Sequence, residues 1–152
     1  MTSFSVDVSY SQIAVFNRDL ENPFNDWSDE HVAQGFSWRD ESVSFKTLID
    51  AGPAVVEVVL AEGMPTRTGI RAISVPFTCS EGGQVEIASI ADGRLTEIAI
   101  GNYQLLFETG FAGNQNWCRF TFLPGGSMVP VILISDDEIT RTADLVMRAV
   151  PA

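Results

Sequence analysis

Few side chains in this sequence have the types and the spacing that enzyme chemistry requires. His31 is the only histidine in 152 residues, so sites that need two histidines are excluded and one candidate general base remains. Cys79 and Cys118 have no neighbouring histidine and no Cys-x-x-Cys spacing, which favours buried, reduced thiols over a nucleophile or a disulfide. No G-x-S-x-G motif or phosphate-binding loop occurs. We therefore expect no catalytic residue, no metal site and no cofactor, and a protein that is not an enzyme.

Two groups of carboxylates are candidates for acid–base chemistry or cation binding. Asp136-Asp137-Glu138 follows a strand-like segment, but its spacing does not match an EF-hand loop, which favours a solvated turn. Glu57 stands between apolar pairs and is expected on a solvent-exposed strand face with Val55 and Val59. If that face is covered, Glu57 becomes a site with a raised pKa. A hydrolase would pair it with a second buried carboxylate roughly 5–10 Å away in a cleft.

The charge of the chain is strongly negative and unevenly distributed. Twenty Asp and Glu against nine Lys and Arg give a net charge of −11 and a pI near 4.3. Residues 1–62 contain eleven acids and three bases, a net charge of −8, so the later residues carry only −3. Nucleic acids and anionic membranes bind to basic faces, so we expect neither as a partner. The balance favours a basic protein instead.

The acidic part includes a segment, residues 17–41, in which aromatic side chains are interspersed with carboxylates. Aromatic rings act as desolvated anchors in protein interfaces, and the surrounding charges accelerate the approach of a partner. In the alternative interpretation, the aromatic residues hold a helix against the core and the acids only face water. We predict a partner-binding surface made of Asp19, Glu21, Asp26, Trp27, Asp29, Glu30, Trp38, Asp40 and Glu41.

The elements that position these residues are mostly strands, because apolar and polar residues alternate with a period of two. The strand-like segments are 4–10, 13–16, 55–60, 70–77, 85–90, 95–100, 103–108, 117–123, 129–135 and 145–150. Asp92-Gly93 predicts a type I′ hairpin turn, and Pro76 and Pro130 place their strands at sheet edges or bulges. The chain is predicted to be all-β: a single domain, residues 1–152, forming an antiparallel β-sandwich of about ten short strands.

One short helix is predicted near residues 28–34. Ser28 is a suitable N-cap, Asp29 and Glu30 suit the positive end of the helix dipole, and Gly35 suits the end of the helix. His31 is expected on the exposed surface of this helix. Residues 140–147 are ambiguous, and a strand is favoured for their second half.

The sequence predicts neither a signal peptide nor a membrane-spanning segment. The first residues lack a basic and an apolar region, so no signal peptide is expected. The apolar run from Val129 to Ile134 is far shorter than the roughly 20 residues that span a bilayer. We expect a soluble, cytoplasmic protein without membrane insertion.

Fragments between residue 5 and about residue 110 follow an order and spacing that one known family shares. They are Ser9–Phe16, Asp26–Glu30, Gln34–Phe36, Ser44-Phe45, Ser74–Phe77, Val85–Ile90 and Ile100–Leu105. In this order they resemble the competence protein J family, whose namesake inhibits the DNA-entry nuclease of competent bacilli. The resemblance implies a small acidic protein that binds and silences a DNase. The carboxylates of residues 17–41 would then mimic phosphates in a basic groove, and a role in immunity to a nuclease toxin fits equally well.

Two other functions remain open from the sequence. A β-sandwich module could bind a small ligand or carbohydrate on an aromatic face, and such a module would have a concave pocket lined by Trp38, Trp117 and Phe122. The hydrolase that uses Glu57 would instead have a cleft with two facing carboxyl groups.

Overall fold

The computed structural model describes residues 2–80, 82–125 and 129–152, which form two packed β-sheets and one short helix, α1 (Asp29–Gln34). The strands are β1 (Thr2–Val8), β2 (Gln12–Asn17), β3 (Phe36–Arg39), β4 (Ser42–Lys46), β5 (Gly52–Leu60), β6 (Arg71–Cys79), β7 (Gln84–Ala88), β8 (Gly93–Glu97), β9 (Gly101–Ala112), β10 (Gln115–Pro124) and β11 (Val131–Ile134). The first sheet has the order β1-β5-β10-β9-β6-β11, and the second has the order β3-β4-β2-β7-β8. This arrangement confirms the predicted β-sandwich.

The core lies between the two sheets and is built from every second residue of their strands. Alternation along β10 is typical: Cys118, Phe120 and Phe122 are fully buried in the main core cluster. Phe45 of the second sheet stacks on Phe107 of the first, with ring centroids 4.4 Å apart. Burying these aromatic rings removes the largest apolar areas from water, so the sheets pack through them.

Three details of the strands differ from prediction. The β5–β10 pair is parallel, so the six-stranded sheet is mixed rather than purely antiparallel. The hairpin β3–β4 was not among the predicted strands, because these strands are short and rich in serine. Residues 145–150 do not form a strand. They contact β3 through single hydrogen bonds, such as the one from Ala149 N–H to the carbonyl oxygen of Trp38 at 2.8 Å.

The turn at Asp92-Gly93 belongs to the β7–β8 hairpin, but it is longer than a type I′ turn. Gly93 pairs with Ala88 as the first residue of β8, and the Ser89 N–H donates to the Asp92 carbonyl oxygen at 2.8 Å. The sheet-edge prediction holds for Pro130, which directly precedes the edge strand β11. It was wrong for Pro76, because its strand β6 lies between β9 and β11. Pro76 is tolerated there because β11 pairs with β6 only through Ala72–Ser74 and ends before it reaches Pro76.

The helix α1 forms as predicted, with Ser28 as N-cap and Gly35 in the left-handed conformation at its end. The prediction for His31 was wrong, since only 6% of this residue is exposed. Its Nδ1 atom accepts the Ser28 backbone N–H at 3.0 Å, which closes a reciprocal capping box. Burial lowers the pKa of His31, because the charged imidazolium loses its hydration there.

The two cysteines are free and buried, as predicted. Cys79 pairs with Gly101 of β9 and Cys118 with Thr109, so about 27 Å of strand separates the two positions.

Within the described ranges, no helix has the length and hydropathy to cross a membrane.

Candidate functional site

The acidic segment begins as a loop, residues 18–28, that lies across the outer face of the second sheet. Leu20 and Phe24 of this loop pack on Ala14, Phe16 and Ala88, which form a small apolar cluster on that face. The loop is therefore held by apolar burial, and its charged side chains are left on the solvent side.

Polar contacts fix the same loop to the β3–β4 hairpin. The Asn25 side-chain amide is buried and donates to the carbonyl oxygens of Ser37 at 2.8 Å and Ser42 at 2.9 Å. The Ser37 hydroxyl in turn donates to the carbonyl oxygen of Asp26 at 2.7 Å. A buried amide with both donors satisfied orders the backbone around it, so the carboxylates that follow Asn25 have defined positions.

One end of the loop forms an acidic groove. Asp19 and Glu21 approach Glu41 of the β3–β4 turn, and the open groove between them has a volume of about 680 Å³. Leu20 and Ser80 complete its walls. Three of the nine predicted residues are thus brought together by tertiary structure.

The other end of the loop places Asp26, Asp29 and Glu30 around the start of α1, and all three are exposed. The pKa of Glu30 is lowered, first by a backbone N–H and then by the Ser28 hydroxyl, which both stabilise the carboxylate. We call the six carboxylates at the two ends of the loop the acidic strip: Asp19, Glu21, Asp26, Asp29, Glu30 and Glu41.

The strip carboxylates form no salt bridge among the described residues, although Arg141 attracts Glu30 and Arg39 attracts Glu41 at longer range. The three cations of residues 1–62 form no salt bridge with a carboxylate of that segment, as far as the described residues show. Arg18 and Arg39 donate to neutral oxygens, and Lys46 pairs with Glu138 at 3.7 Å. Asp40 differs from its neighbours, because Arg148 lies 3.1 Å from its carboxylate.

Trp38 is not an exposed anchor, which corrects that part of the prediction. It follows Phe36 by two residues in β3, so both side chains point into the core, and only 7% of Trp38 is exposed. Its indole N–H donates to the Pro76 carbonyl oxygen at 2.7 Å. Trp27 is only half-buried and remains available to a partner.

Trp27 lines an open cleft of about 410 Å³ beside α1, which we call the Tyr10 cleft. The turn between β1 and β2 also lines the cleft, and its Tyr10 has 78% of its surface exposed. The Trp27 indole N–H donates to the side-chain oxygen of Gln12, another lining residue, at 3.2 Å, which fixes the orientation of the indole ring. The sequence prediction did not include Tyr10, because its alternation with Phe4 suggested a strand rather than a turn.

The aromatic-pocket alternative is not supported. Trp117 and Phe122 lie on opposite faces of β10. Phe122 is fully buried, and it and Trp38 both belong to the core cluster. Arg119 covers Trp117, with its guanidinium carbon 4.8 Å from the ring centroid. These three residues therefore do not line a common concave surface.

The two carboxylates of the hydrolase alternative do lie near each other, but an arginine stands between them, and only Glu57, with 26% of its side chain exposed, reaches solvent. Arg119 lies between Glu57 at 3.3 Å and Glu108 at 3.7 Å, and Glu108 is fully buried. The backbone N–H of Thr68 caps Glu108 at 2.9 Å. Because the two carboxylates share one arginine and Glu108 is capped by a backbone N–H, they form a structural ion-pair cluster rather than two carboxyl groups facing each other across a cleft.

The predicted solvated turn at residues 136–138 is only partly solvated. Arg71 is fully buried, and its guanidinium lies 2.8 Å from Asp136 and 3.1 Å from Glu138. These two carboxylates therefore compensate a buried charge, whereas Asp137 is exposed.

Groups of three or more metal-ligating side chains do not occur among the residues that the structure describes.

Comparison with known proteins identifies relatives that match most of the chain. The model of the family described as competence protein J matches residues 5–123. The DNA-entry nuclease inhibitor of Bacillus subtilis (strain 168) is 31% identical over 101 residues, which cover 66% of this chain and 75% of that protein. A crystal structure of ComJ, described as the inhibitor of the DNA degrading activity of NucA from Bacillus subtilis, matches with a TM-score of 0.73 at 23% identity and covers 82% of this chain and 96% of that one.

These relatives are inhibitors of a nuclease and not enzymes, in agreement with the prediction made for this chain. The crystal structure shares the fold described above. Since the family pattern extends over most of the sequence and the identity to the B. subtilis inhibitor is 31%, the chain belongs to the competence protein J family.

Proposed function

We propose that this chain inhibits a DNase by inserting the acidic strip into the basic groove that binds DNA. The name of the B. subtilis relative, a DNA-entry nuclease inhibitor, supports the class of partner. One observation supports the mechanism. Five carboxylates of the strip are exposed, and none of the five forms a salt bridge with another described residue. They are Asp19, Glu21, Asp26, Asp29 and Glu30.

The charges of the strip match what such a groove needs. A nuclease binds phosphates with lysine and arginine, so a row of carboxylates on a rigid surface competes with DNA for the same cations. Long-range attraction raises association rates up to about 10⁸–10⁹ M⁻¹s⁻¹ at low salt. The same chemistry serves an inhibitor in competence or one that protects a cell from its own nuclease.

The test is protection of DNA by the purified chain. The nucleases are NucA of B. subtilis and any NucA homologue found in the genome that encodes this chain, with an unrelated DNase as the specificity control. We expect stoichiometric inhibition of at least one NucA-type nuclease that weakens between about 50 and about 300 mM salt. A gel-shift assay verifies that the chain itself does not bind the DNA. Full degradation at a molar excess of the chain would overturn the proposal.

A further inference from the structure

The Tyr10 cleft borders the acidic strip, because Trp27 in its wall is flanked by strip residue Asp26 in the chain. Besides Tyr10 and Trp27, its walls include Gln12, Val32 and Asp50. A cleft of about 410 Å³ lies within the range of volumes that proteins use to bind small groups.

The turn that carries Tyr10 has an unfavourable backbone conformation, and backbone hydrogen bonds to neighbouring segments hold it. Tyr10 and Ser11 have φ values of 54° and 55°, a region that favours glycine and asparagine at such turns. The Ser11 N–H donates to the Asp50 carbonyl oxygen at 3.0 Å, and the Ser11 carbonyl oxygen accepts from Thr47 N–H at 3.0 Å. Strained residues held by their surroundings concentrate at recognition sites. The backbone of the turn is thus held in place, and it presents the exposed Tyr10 ring at the cleft.

The charges in the cleft select the ligand. The Asp50 carboxylate accepts the Ser11 hydroxyl at 2.8 Å, and no cation pairs with it in the part of the chain that is described. Lys46 and Glu138 also line the cleft, but they pair with each other at 3.7 Å, and the buried Arg71 contacts Glu138 as well. Asp50 is therefore the carboxylate of the cleft that is left to bind a cation. An anion is repelled by Asp50, and a purely apolar group would desolvate this carboxylate without giving it a partner.

We infer that the Tyr10 cleft binds an arginine side chain of the partner nuclease; the identity of the partner rests on the proposed function. A planar guanidinium stacks on aromatic rings, which Tyr10 and Trp27 supply, and donates two parallel hydrogen bonds to a carboxylate, which Asp50 supplies. A DNA-binding groove presents such cations. Lysine fits less well, because its compact ammonium lacks the planar surface for stacking.

A first experiment measures the cleft without any nuclease. The ¹H–¹⁵N spectrum of the full chain is titrated with acetyl-arginine-amide and, as the neutral isostere, with acetyl-citrulline-amide. We expect saturable shifts of the Tyr10 and Ser11 amides and of the Trp27 indole N–H with the arginine probe only, with a dissociation constant on the order of 10 mM. The Asp50→Asn variant should lose these shifts. Equal shifts with both probes, or none at the cleft, would overturn the inference.

A second experiment measures the complex with the nuclease that the chain inhibits. Tyr10→Asn removes the ring while asparagine tolerates the positive φ, so lost binding cannot reflect lost folding. We expect Tyr10→Asn and Asp50→Asn each to raise the dissociation rate roughly tenfold. The dissociation rate of the double variant should increase by less than the product of the two single increases, because both groups contact the same arginine side chain.

The control is Phe111→Ala, which removes an exposed ring from the β9–β10 hairpin and should leave the rate unchanged. A rate for Tyr10→Asn within about twofold of wild type would contradict the inference. The two proposals fail separately. A chain that protects DNA but does not bind the arginine probe disproves the cleft inference alone. A chain that binds the probe but protects no DNA disproves the inhibitor function; it keeps the arginine site but loses the nuclease as the partner.

Discussion

The Nη2 atom of Arg71 lies 2.8 Å from Oδ2 of Asp136, and this ion pair fastens the segment after β11 to the sandwich. The Arg71 side chain is fully buried, and it also donates to the carbonyl oxygen of Lys46 at 2.7 Å. The segment after Asp136 then covers α1 and the free edge of β3, through bonds such as the one from Thr140 N–H to Ala33 at 3.0 Å. The pair joins residues inside and outside the part of the chain that the family pattern matches.

Removing the carboxylate should cost stability, because it leaves a buried guanidinium with fewer partners. We expect Asp136→Asn to lower the free energy of unfolding by about 3 kcal/mol. The adjacent Asp137→Asn is the matched control and should change it by less than about 0.5 kcal/mol, since Asp137 is exposed. Urea unfolding followed by tryptophan fluorescence measures both. Equal midpoints for the two variants would show that the pair is not stabilising.

Neutralising the helix end of the acidic strip should slow association with the nuclease. In the triple variant Asp26→Asn, Asp29→Asn, Glu30→Gln, we expect the association rate at low salt to fall roughly tenfold and its salt dependence to flatten. Stopped-flow fluorescence at several salt concentrations measures both quantities.

The control for this variant removes three charges elsewhere, in Glu62→Gln, Asp92→Asn, Glu97→Gln. It has the same net charge as the test variant, so a specific strip predicts a much smaller effect. If both triple variants associate equally slowly, only the net charge matters and the strip is not the interface.

Acid should weaken the fold through His31. Burial lowers the pKa of His31 below its usual 6.5, although Asp26 and Glu30 oppose part of this shift. The unfolded chain therefore binds the proton more readily, so stability is complete above pH 6.5 and decreases as the pH falls below it. Protonation also removes the Nδ1 acceptor that caps Ser28.

The His31→Gln variant separates this effect from the titration of carboxylates. Glutamine keeps the reciprocal capping box with Ser28 and does not titrate. We expect its free energy of unfolding to fall less than that of wild type between about pH 7.5 and about pH 5.5. Parallel pH profiles of the two proteins would exclude a contribution from His31.

The thiols should be inert in the folded protein. Burial raises the pKa of Cys118 to about 11 and also raises that of Cys79. At pH 8 the Cys118 thiolate fraction is on the order of 0.1%, and the folded chain shields its sulfur. We expect modification by a disulfide reagent to follow the rate of unfolding. Rapid labelling of Cys118 in buffer without denaturant would contradict this.

Much of the fold could be predicted from the sequence, because its signals are local. The two-residue alternation in β10 and the capping residues around α1 each act over a few positions, and both elements appear where expected. The β3–β4 hairpin was not predicted, because Ser37, Ser42 and Ser44 are polar residues at buried positions and so obscure the alternation of apolar and polar residues in its strands. Recognising that hairpin would have placed Trp38 in phase with Phe36, and thus in the core.

The sequence by itself determined the class of fold, the negative charge and the family, since composition and local order do not depend on how distant segments meet. Only the tertiary structure decided which aromatic residue faces solvent, which carboxylates are neutralised and what lies beside Tyr10. Those outcomes depend on strand register and on contacts such as Arg71 with Asp136, 65 residues apart. A one-residue change of register moves a side chain to the other face of the sheet, so composition and spacing do not settle them.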